Sequence, residues 1–68
     1  MMPTVYEVIS RTMGGKSRKL FGNYDDAAEQ YNKWVEYFEE LKADGEEVQK
    51  VILNKIENGK VTLMAEHF

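Results

Sequence analysis

The most regular pattern of hydrophobic positions in the sequence runs from Tyr24 to Ala43. Apolar and aromatic residues recur there every three or four positions, which is the spacing of one side of an α-helix. These residues are Tyr24, Ala27, Ala28, Tyr31, Trp34, Val35, Phe38 and Leu41. Asn23 precedes the pattern as a suitable N-cap, and Asp44-Gly45 follows it as a suitable stop. The pattern therefore predicts one long amphipathic helix whose aromatic side is covered by the rest of the chain.

Two strand-like runs precede this helix, Thr4 to Thr12 and Ser17 to Gly22. Both contain β-branched or aromatic residues, which favour strands, and Gly14-Gly15 lies between them. A hairpin with this glycine pair at its tip places Val8 opposite Phe21. We therefore expect an antiparallel hairpin before the helix.

Two further runs follow the helix, Val48 to Glu57 and Lys60 to Phe68, separated by Asn58-Gly59. Asn-Gly between two apolar runs is the strongest short-range signal for a hairpin, because both residues tolerate the left-handed backbone of a type I′ turn. The expected cross-strand pairs are Ile56 with Val61, Asn54 with Leu63, and Ile52 with Ala65.

These elements predict a single α+β domain over residues 1–68, with the order ββαββ. The fold is a four-stranded, mainly antiparallel sheet with one long helix packed on one face. The strand orders 2-1-3-4 and 1-2-4-3 both keep every neighbour antiparallel, and the first is favoured. The hairpin, helix, hairpin pattern is too general to identify a family.

One helix covers only one face of such a sheet, so the other face is expected to meet a partner. In the last hairpin, alternation groups Val48, Ile52, Ile56, Val61, Leu63 and Ala65 on one face. The opposite face is half apolar, and we predict that it stays uncovered and forms a protein interface through Val51, Leu53, Met64 and Phe68. The sequence thus predicts a small protein-interaction module, either a homodimer or a binder of another protein.

Charge is segregated along the chain, although the net charge is only -3. The first hairpin region is basic, with Arg11, Lys16, Arg18 and Lys19 near the aromatic residues Tyr6 and Phe21. Cations beside aromatic rings are typical of nucleic-acid contacts, so a nucleic-acid-binding domain is an alternative. The helix is acidic, with Asp25, Asp26, Glu29, Glu36 and Glu40 along its polar side. A second alternative is an inhibitor whose acidic helix occupies a nucleic-acid-binding protein by imitating a row of phosphates.

The residue types needed for catalysis or metal binding are scarce, since the sequence has no Cys and one His, His67. Gly14-Gly15-Lys16-Ser17 matches only the end of a phosphate-binding loop, and strand-like sequence follows where that motif needs a helix. We therefore expect no enzyme activity, no metal and no cofactor. The sequence lacks a membrane-length apolar run and a signal peptide's basic and apolar regions, so we expect a cytoplasmic protein without a membrane partner.

Overall fold

The computed structural model describes residues 3–12 and 14–68 of the chain. The elements in chain order are β1 (Val5–Thr12), β2 (Gly15–Phe21), α1 (Tyr24–Ala43), β3 (Val48–Glu57) and β4 (Lys60–His67). The four strands form one antiparallel sheet in the order β2-β1-β3-β4, and α1 packs on one of its faces. The predicted ββαββ architecture is confirmed, and the favoured strand order is the one observed.

Helix α1 begins and ends where the capping residues predict. The Asn23 side-chain oxygen accepts a hydrogen bond from the backbone N–H of Asp26 at 2.9 Å, which satisfies one of the free donors of the first turn. At the other end Gly45 adopts a φ of 82°, and the Glu46 N–H donates to the Leu41 carbonyl at 2.9 Å. A left-handed glycine followed by such a bond closes the helix and frees the chain to enter β3.

The core lies between α1 and the two central strands. Val8, Ala27 and Leu53 form its buried centre, and larger side chains pack around it: Tyr6, Phe21, Tyr31, Trp34 and Ala65. Phe38 and Val51 are also fully buried. The aromatic side of α1 therefore faces the sheet as predicted, except that Tyr24 stays half exposed with its ring edge against Tyr6.

The register of the first hairpin differs by two residues from the predicted register. Tyr6 pairs with Phe21 and Val8 with Lys19, so the predicted pairing of Val8 with Phe21 is wrong. A two-residue shift leaves every side chain on the same face of the sheet, and the alternation of hydrophobic residues does not distinguish the two registers.

The second hairpin turns at Asn58-Gly59, whose φ values of 53° and 76° are those of the expected left-handed turn. The predicted pairs of Ile56 with Val61 and of Asn54 with Leu63 are observed. Beyond them the register shifts at a β-bulge, so that Ala65 pairs with Leu53. The predicted pairing of Ile52 with Ala65 is wrong because the bulge inserts one extra residue into β4.

Candidate interaction surface

The sheet face opposite α1 has no element of the described chain packed on it, and we name it the open face. Strand pairing arranges its residues in four rows that cross the sheet from β2 to β4, because side chains alternate between the faces along each strand. The rows are Val5, Ile56 and Val61; then Leu20, Glu7, Asn54 and Leu63; then Arg18, Ile9, Ile52 and Glu66; and finally Lys16, Arg11 and Lys50.

Apolar side chains make up the whole of the first row and half of the second and third rows, and they remain in contact with water. Leu20 is 53% exposed, Leu63 53% and Val61 58%. Ile9 and Ile52, on the central strands, are partly exposed. Exposed apolar residues grouped on one sheet face are typical of interaction sites, and here they lie around the polar pair Glu7 and Asn54.

Glu7 lies at the centre of the second row and is the most buried charged residue described, with 8% of its surface exposed. Its two carboxylate oxygens are both engaged. The Arg18 Nε–H donates to one of them, and the Asn54 Nδ2–H donates to the other at 3.0 Å. These two bonds span β2, β1 and β3, so the carboxylate joins three strands within an apolar surface.

Opposing effects act on the pKa of Glu7. Burial raises it, but the hydrogen bonds from Asn54 and Arg18 and the charges of Arg18 and Lys16 lower it more, so the pKa lies below its ordinary value of 4.5. Glu7 is therefore ionised at neutral pH. A charged group with a hydrogen bond to each of its oxygens gives the open face a fixed polar centre.

Two of the four predicted interface residues are not on the open face. Val51 and Leu53 are 0% and 2% exposed, and Leu53 belongs to the core beneath α1. Their predicted place on the uncovered face is wrong. Met64 and Phe68 are exposed but belong to none of the four rows, since Met64 is the unpaired residue of the β4 bulge and Phe68 follows the end of β4.

The prediction assigned the two faces of β3 the wrong way round because both sides of this strand carry apolar residues. Val51 and Leu53 occupy the centre of one side, whereas Ile52 and Ile56 on the other side flank Asn54. The position of the polar residue was the available signal, since a central amide is better tolerated on the more open side. Glu7 carried the same signal in β1, and neither residue was among the predicted site residues.

Three of the four predicted basic residues come together on the open face. Arg11 pairs with Lys16 across β1 and β2, Arg18 lies one row away, and Lys50 on β3 pairs with Arg11 from the other side. Lys50 was missed because the predicted order of strands did not include the register between β1 and β3. We name Lys16, Arg11 and Lys50 the basic row.

Lys19 lies on the opposite face, beside the helix. Its ammonium group is 6.0 Å from the centre of the Trp34 ring and 3.4 Å from the Gln30 side-chain oxygen. Tyr6 and Phe21, the predicted aromatic platform, also pack on the helix side. The structure therefore separates the predicted aromatic residues from the basic row.

The acidic residues of α1 are exposed to solvent: Asp25, Asp26, Glu29, Glu36 and Glu40. Asp26 accepts a hydrogen bond from the Asn23 amide at 2.9 Å, and Glu29 pairs with Lys33 at 3.2 Å. These contacts give two of the five a local role in the helix. The inhibitor hypothesis stays a prediction.

The single histidine joins the end of β4 to the helix. His67 Nε2 lies 2.5 Å from a Glu39 carboxylate oxygen, and its ring stands edge-on to Phe38 at 5.2 Å. The neighbouring residue Glu66 influences a tyrosine of the helix. Burial raises the pKa of Tyr31, and the negative charge of Glu66 raises it further. Since β4 is an edge strand, Glu66 lies at one edge of the sheet, where it pairs with Ile52.

Within residues 3–12 and 14–68, no three potential metal ligands come together. In the same part of the chain, no helix has the length and apolar composition of a membrane span. The expectations of no enzyme activity and no cofactor stay predictions.

Comparison with known proteins adds no family to this description. No family model, no curated protein and no solved structure matches the chain.

Proposed function

We propose that this chain is a non-enzymatic protein-interaction module that binds through the open face. The observation that carries the proposal is the exposure of Leu20, Val61 and Leu63 on regular strands, beside an ionised carboxylate that is already satisfied within the chain. Removing apolar surface from water contributes roughly 25 cal/mol per Å². A protein surface of matching shape would gain this contribution without having to neutralise Glu7.

The edges of the sheet are poorer binding sites than its face. Three cations, Lys16, Arg18 and Lys19, lie along the seven residues of β2. On the other edge, the β-bulge near Met64 interrupts the regular ladder of β4. Charged side chains and bulges are the features that discourage addition of a strand to an edge, so they favour contact through the face.

The absence of cysteine in the sequence supports a cytoplasmic site of action for this module. The proposal assigns no reaction, no metal and no cofactor to the chain. Its partner is a protein, either a second copy or a different chain.

Site-specific photo-crosslinking in the source cells tests the proposal. A benzoylphenylalanine replaces Leu63 on the open face or, as a matched control, Tyr37 on the helix, which is also 53% exposed. We expect a covalent protein adduct from position 63 in several-fold higher yield than from position 37. Equal yields, or no adduct from position 63, would overturn the proposal. Mass spectrometry of the adduct identifies the partner.

The basic row supports a second candidate function, binding of a polyanion such as nucleic acid. Lys16, Arg11 and Lys50 lie in register across three strands, and Arg18 extends the patch by one row. Each phosphate contact of this kind makes affinity fall with salt. A mobility shift of single-stranded DNA at low salt that disappears in the Arg11→Gln variant would support it, and no shift at low salt would reject it.

A further inference from the structure

Three of the four rows of the open face are complementary to themselves, and the basic row is the exception. In the third row Arg18 stands at one rim of the sheet and Glu66 at the other, with Ile9 and Ile52 between them. The second row is symmetric in the same sense, since Leu20 and Leu63 lie at its two ends and Glu7 and Asn54 lie between them. A surface whose two halves complement each other is what a two-fold symmetric contact requires.

Resting on the proposed function, we infer that the partner of the open face is a second copy of this chain, packed face to face about a two-fold axis parallel to the strands. The axis runs between β1 and β3, so β1 of one copy lies over β3 of the other and β2 over β4. Sheets packed in this way lie about 10 Å apart with strands inclined by about 30°.

This arrangement matches the rows residue by residue. Ile9 lies over Ile52 of the second copy, and Leu20 lies over its Leu63. At the rims Arg18 meets Glu66 of the second copy, twice by symmetry. Arg18 is half exposed while it holds Glu7, so it has donors left for a second carboxylate.

The other two-fold arrangement of the same faces fits poorly. With the axis perpendicular to the strands, each row lies over a different row of the second copy. The basic row of one copy then covers Val5, Ile56 and Val61 of the other, which removes cations from water without giving them partners. Of the two arrangements, only the axis parallel to the strands places apolar residues over apolar residues and Arg18 over Glu66, so we select that axis.

The size of the face sets the strength of the contact. Four strands about 4.8 Å apart and four rows about 7 Å apart give roughly 500 Å² per copy, or about 1,000 Å² in total. That area is near the lower limit for a specific interface, so we expect a weak dimer. Arg11 of one copy also meets Lys50 of the other at the basic row, which weakens the contact at that end.

A pair of charge reversals tests the arrangement by sedimentation velocity from about 10 µM to about 1 mM, where a weak dimer changes its population with concentration. The wild-type chain should show a concentration-dependent dimer. Glu66→Arg and Arg18→Glu should each weaken it by tenfold or more, because like charges then meet twice. An equimolar mixture of the two variants should restore it, since every rim contact in the mixed dimer joins opposite charges. Glu36→Arg, on the exposed side of the helix, is the control and should leave the dimer unchanged.

Disulfide trapping provides a second test that does not alter Glu7's partners. The sequence has no cysteine, so single Leu20→Cys and Leu63→Cys chains each carry one thiol. On oxidation of their mixture, we expect the disulfide joining position 20 to position 63 to form several-fold faster than the like-with-like disulfides.

The outcomes separate this inference from the proposed function. A wild-type chain that stays monomeric to 1 mM, or a mixture that shows no preference for the mixed dimer, would overturn the two-fold arrangement. If position 63 then crosslinks to a different protein, the proposed function stands without it. If position 63 crosslinks to nothing, both fail.

Discussion

Glu7 is the residue at which the open face departs from a simple apolar surface. A buried, ionised carboxylate is unfavourable unless an opposite charge and hydrogen-bond donors compensate it, and Arg18 and Asn54 supply these to its two oxygens. Because Arg18 is half exposed, water screens its charge and reduces what the ion pair contributes. The hydrogen bonds, which join three neighbouring strands, are the larger part of Glu7's contribution.

The pH dependence of stability tests this account. Glu7→Gln keeps the shape of the side chain and a hydrogen bond from Asn54 but removes the charge that Arg18 contacts. We expect the free energy of unfolding at pH 7 to fall by about 1 kcal/mol, measured by urea denaturation at low protein concentration. The folded pKa of Glu7 is lowered, so its stabilisation is complete above the ordinary value of 4.5 and is lost as pH falls through the folded pKa.

The variant and wild type should therefore begin to converge in stability below pH 4.5 and become equal once the pH is below the folded pKa of Glu7. Glu57→Gln, whose side chain is half exposed, is the matched control and should change stability by only a few tenths of a kcal/mol. An equal loss from Glu7→Gln at acid and neutral pH would show that the charge of Glu7 does not explain the effect of the substitution.

At the scale of elements, local patterns determine most of this fold and pairing between distant strands determines the rest. The period of α1 and the Asn58-Gly59 turn are read within about 20 residues of sequence, and the structure agrees with both. The faces of β3 depend instead on which side α1 covers. The bulge in β4 leaves no alternation signal in the sequence and moves Ala65 to the helix side, beside Leu53.

The sequence was sufficient to predict that one sheet face is uncovered, but not which residues lie together on it. One helix on a four-stranded sheet implies an uncovered face, and Glu7 and Asn54 were sequence signals for which face that is. The rows were not accessible from the sequence. They depend on the β1–β3 register, which joins strands separated by the whole helix, and no turn between those two strands fixes that register.

Two neighbouring residues of β3 test the assignment of faces. Leu53 is 2% exposed under α1, whereas Ile52 is partly exposed on the open face. We expect Leu53→Ala to lower the free energy of unfolding by about 2–4 kcal/mol, and Ile52→Ala by about 1 kcal/mol or less. Urea denaturation at a concentration where the chain is monomeric measures both. A larger loss from Ile52→Ala would reverse the faces.

At the scale of the molecule, one face of the sheet has no helix or strand packed on it. Five apolar side chains are fully buried among the described residues, which is a small core for a chain of 68 residues. Packing two open faces together would form a second core between the sheets and place the acidic helices on the outside. The two acidic helices would then repel each other only weakly because they are far apart. Arg18 and Glu66 of opposite copies would attract each other at close range.

The basic row distinguishes self-association from polyanion binding, because the charge of Lys50 weakens the first contact and strengthens the second. In the face-to-face dimer Lys50 meets Arg11 of the second copy twice, so Lys50→Gln removes two repulsions and should tighten the dimer several-fold in sedimentation velocity. Binding of single-stranded DNA should weaken instead, since one phosphate contact is lost. Lys42→Gln on the helix makes the same change in net charge and should leave both measurements unaltered, because it lies outside the open face. Weaker self-association in Lys50→Gln would mean that the copies do not bring their basic rows together, and the axis parallel to the strands would be wrong.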